Sequence, residues 1–155
     1  VSAPYNATTI ANQFIDLAAQ ENRKLTPMQL IKLSYIAHGF SLAIFKRALL
    51  KEGVEAWRYG PVIPGLYQRL KQFGSSPVPG PVPPTIFERR EDVDDEDKAL
   101  LQVVYEKYGH FTGVQLSHLT HKPGTPWHES YVPGEYGTPI DDGQIQVHYA
   151  TLLSR

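Results

Sequence analysis

The stretch LTPMQLIKLSYIAHGFSLAIF, residues 25–45, constrains the fold more than any other part of the chain. Thr26 stands where an N-cap belongs, Pro27 occupies the first helical position, and Gln29 completes a capping box, so a long helix starts here. Its apolar residues form two rows. Leu30, Leu33, Ala37, Phe40 and Ile44 make one, and Ile31, Tyr35, Leu42 and Phe45 the other. A helix apolar on two sides is packed from both, which makes this the central element of a helical core. Gly39 lowers helix propensity by roughly 1 kcal/mol against Ala, and close approach of a neighbouring element explains its presence.

Shorter helical patterns surround it. Thr8 or Thr9 caps a helix to about residue 21, with Ile10, Phe14, Leu17 and Ala18 on one side. Pro64, Leu66, Tyr67, Leu70 and Phe73 give another stripe, stopped by Gly74 in a left-handed conformation. The acids of residues 91–97 read as the first turn of a helix that buries Leu100, Leu101, Val104, Tyr105 and Tyr108 and ends at Gly109. Thr112 and Gln115 form a second capping box, opening a helix with Leu116 and Leu119 inward. Thr125-Pro126-Trp127 reads as a one-turn helix start. Asp141 with Gln144, stapled by Ile140 and Ile145, leads a last helix through Leu153.

Residues 54–59 read as a short extended piece and residues 138–140 as a second. SSPVPGPVPPT, residues 75–85, is too rich in proline for a helix or an inner strand and is expected to be an exposed connector. The expected architecture is mainly α with a minor β element: about six helices bundled around the central one. It forms a single domain over residues 1–155, with the Pro-rich loop 75–85 inside it, since one core commonly organises ~100–150 residues.

Charge and composition narrow the function classes. Fifteen Lys and Arg face sixteen Asp and Glu, a formal charge of −1, so the basic field that attracts nucleic acid is missing. The absence of cysteine removes disulfides and thiolate chemistry. The opening VSAPYNATTIANQF resembles no signal segment, and no run approaches the ~20 apolar residues of a membrane span. A cytoplasmic protein with neither a nucleic-acid nor a membrane partner is the expectation.

Catalytic patterns are weak. His118, His121 and His128 lie close in sequence, but Leu119 and Thr120 occupy the interval where a zinc hydrolase motif would carry its glutamate. No serine has a nucleophile's setting, and GPVIPG lacks the spacing and ending of a phosphate loop. The expectation is no enzyme, no cofactor and no metal; a small metal-assisted hydrolase using the three histidines is the alternative. The trio Trp57-Arg58-Tyr59 before Gly60-Pro61 has two accounts. Its aromatic residues anchor the corner in the core, or they form a preorganised protein-binding patch with Arg58.

The order of LIKLSY (residues 30–35), AWRYGPV (residues 56–62) and LSHLTHKPGTPW (residues 116–127) resembles the Panacea domain of SocA-like antitoxins and of phage- or mobile-element-associated proteins. The resemblance extends over about residues 8–153 and is most specific at the tryptophan corner. It implies a mostly helical domain that binds a cognate toxin, either masking it or, as an adaptor, delivering it to the ClpXP protease. On that basis Arg58, Tyr59, Tyr67, His121 and Trp127 are expected at the partner surface, with Trp57, Gly60 and Pro61 building the corner.

Overall fold

In the computed structural model, which describes residues 2–154, the elements follow in the order α1 (Ala7–Ala19), α2 (Pro27–Phe45), β1 (Val54–Trp57), β2 (Gly60–Val62), α3 (Pro64–Leu70), α4 (Asp95–Tyr108), α5 (Gly113–His121), α6 (Pro126–Ser130), β3 (Thr138–Ile140) and α7 (Asp142–Leu153). A short 3-10 turn, Lys71–Phe73, extends α3. The protein is mainly α with a small antiparallel sheet of order β2-β1-β3. The described residues hold seven α-helices against about six expected, and the one-turn start read at Thr125-Pro126-Trp127 is among them as Pro126–Ser130.

α2 is the hub, packed by α1, α4, α5 and α7. Its capping box is present in both directions: Gln29 N donates to Thr26 Oγ1 at 3.3 Å and Thr26 N to Gln29 Oε1 at 2.8 Å. Fifteen of its residues are buried, including both apolar rows except Ile44, which is exposed, and Phe45, which is only partly covered. α2 is also long and apolar enough to cross a membrane, contrary to expectation, although 83% of its qualifying window is buried inside the protein. The close approach inferred at Gly39 comes from α7. A Cβ there would lie 2.2 Å from the Tyr149 ring, which also meets Phe40 edge-on at 4.8 Å.

Several caps differ from the sequence expectation because tertiary partners outcompete local ones. α1 begins at Ala7 behind Asn6, and neither Thr8 nor Thr9 caps it. Acids from elsewhere meet its free amides instead: Glu52 accepts from Ala7 N at 3.0 Å, while Glu91 accepts from Asn6 N at 2.8 Å and from Thr9 Oγ1 at 2.7 Å. In α7, Asp141 accepts from Gly143 N at 2.9 Å, and Gln144 accepts from Ser130 rather than closing a capping box. Gly74 has positive φ but ψ of −123°, so its conformation is not left-handed helical. Asp97, one of the acids read as the first turn of α4, is fully buried. It accepts from Tyr5 OH at 2.8 Å and from Arg47 at 3.0 Å, tying α4 to the N-terminal segment.

The Pro-rich loop is less exposed than expected. Val78 and Val82 are buried. Val82 pairs in both directions with the Asn12 side chain at 2.8 Å, and Val78 N donates to Leu25 O at 2.8 Å. These bonds tie the loop to α1 and to the residue before the cap of α2.

Candidate functional site

β1 and β2 form a tight hairpin. Trp57 faces Gly60, Ala56 faces Pro61 and Glu55 faces Val62, so Arg58 and Tyr59 are the two turn residues. The extended piece therefore ends at Trp57 rather than at Tyr59, because Gly60, with φ of 121°, reverses the chain in a conformation that disfavours any side chain. A Cβ at residue 60 would also lie 2.8 Å from Lys32 Nζ, which would have to shift away. Pro61 sits on β2, an edge strand, where its missing N–H is tolerated.

The turn overhangs an open groove of about 500 Å³ between α2, the hairpin, α3 and the segment before β3. Trp57, Tyr67 and Tyr136 form an aromatic wall, with Tyr67 at 4.9 Å and Tyr136 at 5.0 Å from the Trp57 ring. Tyr59 is 65% and Tyr136 81% exposed, and Arg58 lies over the Tyr59 ring at 5.4 Å. Met28, Ile31 and Val62 add apolar surface.

Lys32 lines the same groove from α2 and is 3% exposed. Its Nζ donates to Pro61 O at 2.7 Å, its one hydrogen-bond acceptor among the described residues. Burial lowers the ammonium from 10.5 to about 7, because the charged form has lost its water.

The expected site residues divide into two sets. Arg58, Tyr59 and Tyr67 line the groove together. His121 and Trp127 are not in its lining; they pack on the hairpin from α5 and α6. Trp127 is 8% exposed and donates its indole N–H to Trp57 O, stacking on Tyr131 at 4.7 Å. His121 meets the Trp127 ring edge-on at 5.2 Å, and Ser117 Oγ donates to Tyr59 O at 2.6 Å. Trp127 is the more deeply buried of the two tryptophans, and Trp57, partly buried against the core at the corner it was expected to build, is also a wall of the groove. The His118 and His121 rings lie 6.3 Å apart, but among the described residues no three His, Asp or Glu side chains are grouped to hold a metal ion.

Sequence reasoning missed Lys32, Tyr131 and Tyr136. A signal for Lys32 was present: a lysine within a helix apolar on two sides has no solvated face to occupy.

The sequence profile described as "Antitoxin SocA-like, Panacea domain" matches residues 30–128, which include α2 from its second turn, the hairpin and the start of α6. The chain belongs to this antitoxin family. The Antitoxin SocA of Caulobacter vibrioides (strain NA1000 / CB15N) is 28% identical over 136 residues, covering 79% of this chain and 68% of that protein. No solved structure gives a significant match. The Panacea-domain segments LIKLSY and AWRYGPV meet in space at the contact between Lys32 and Pro61 O.

Proposed function

We propose that this protein neutralises a cognate toxin by binding it at the groove beneath the Arg58-Tyr59 turn. The observation that carries the reading is an exposed aromatic and arginine turn fixed from behind by buried groups: Trp127 holds Trp57 O, Ser117 holds Tyr59 O and Lys32 holds Pro61 O. Such preorganisation lowers the ordering cost of association, and Tyr, Trp and Arg are the side chains that contribute most at interfaces. Arg58, Tyr59 and Tyr67 make the contact; His121 and Trp127 support it. A partner other than nucleic acid fits the formal charge of −1.

Coexpression with the toxic product of a neighbouring reading frame tests this. Native protein restores growth, and Tyr59→Ala restores it poorly while melting at the native temperature. Full protection by a folded Arg58→Ala/Tyr59→Ala double variant refutes the assignment. Repeating the assay in cells lacking ClpXP separates masking, which persists, from delivery, which is lost.

A further inference from the structure

The groove holds an imbalance of charge that the packing of the domain does not explain. Its lining carries three cationic side chains, Lys32, Arg58 and Lys71, against the single carboxylate of Glu135. Glu55 adds a second carboxylate at the edge of the groove, already engaged by the Trp57 indole N–H at 2.9 Å. Arg58 and Lys71 are exposed and solvated, whereas Lys32 is buried. A protonated lysine has three N–H donors, and Pro61 O takes one. A buried ammonium with two unused donors is costly unless something completes it.

We infer that the groove receives a carboxylate carried on an apolar segment of the bound protein, with Lys32 Nζ as its buried counter-charge and Trp57, Tyr67 and Tyr136 as the walls around it. This rests on the toxin-binding reading of the same groove. One buried ammonium matches one monoanion. The aromatic wall suits the apolar residues flanking the acid. The depressed proton affinity of Lys32 agrees, since a docked carboxylate returns the charge partner that burial removed.

The test pans a phage-displayed library of random dodecapeptides on the full chain. Native protein is expected to enrich peptides with Asp or Glu beside aromatic or aliphatic residues. Exchanging that acid for its amide weakens binding about tenfold or more. Lys32→Met is expected to cause the same loss, and the two changes together cost no more than either alone. Enrichment without acids, no enrichment at all, or undiminished binding by the amide peptide overturns the inference. The amide exchange leaves the protein untouched, so the result stands even where Lys32→Met folds poorly. Toxin neutralisation by native protein with any of these negative results leaves the toxin-binding reading intact and removes only the carboxylate.

Discussion

Replacing Lys32 by Met keeps most of the side-chain volume and removes the buried ammonium. The folded-state value of about 7 lies below the unfolded value of 10.5, so the penalty for burying charge is present in full below about pH 7. It is withdrawn as the pH rises from about 7 towards 10.5, where both states become neutral. Between about pH 6 and about pH 9 the native protein gains roughly 3 kcal/mol from this group, at ~1.4 kcal/mol per pH unit above its folded value. For a chain of this length that corresponds to a melting shift of roughly 8 °C. Lys32→Met has no such group. It also leaves Pro61 O without its donor, a cost of about 1–3 kcal/mol that does not depend on pH. The melting temperature of Lys32→Met relative to native should therefore fall by roughly 8 °C from about pH 6 to about pH 9. Calorimetry of both proteins across that range measures it. A difference that stays constant with pH refutes the argument that Lys32 is buried and desolvated.

Trp127→Ala should destabilise by about 3–5 kcal/mol, and Trp57→Ala by clearly less, in denaturant titrations, because only Trp127 is buried. Gly39→Ala should cost about 1–3 kcal/mol by forcing the Tyr149 ring aside, and a Tyr149→Leu background should relieve part of that cost. Arg58→Ala and Tyr59→Ala should change stability by no more than about 0.5 kcal/mol while weakening toxin neutralisation. Asp97→Asn should lower stability by about 1–3 kcal/mol in the same titrations, since the buried side chain loses its charge-assisted bonds from Tyr5 OH and Arg47, while the partly exposed Arg47 keeps Glu96.

The helices were legible because their signals are local. Thr26-Pro27-Gln29 and Thr112-Gln115 are complete within one turn, and both capping boxes form. The caps of α1 were not, because Glu52 and Glu91 reach its amides from 45 and 85 residues away. The corner at residues 56–62 was recognisable as special, but which tryptophan faces inward depends on where α6 docks, and nothing near Trp57 in sequence records that. Lys32 was legible only in part: a helix apolar on two sides marks its lysine as buried, but the acceptor that holds it, Pro61 O, lies 29 residues later.

The groove draws its floor from α2, its rim from the hairpin and its walls from α3 and residues 131–137, segments that meet only once the chain has folded. No linear stretch of this sequence carries the surface by itself. The shape of the groove therefore depends on all of these segments staying docked at once, so loosening any one of them alters the surface proposed to bind the partner.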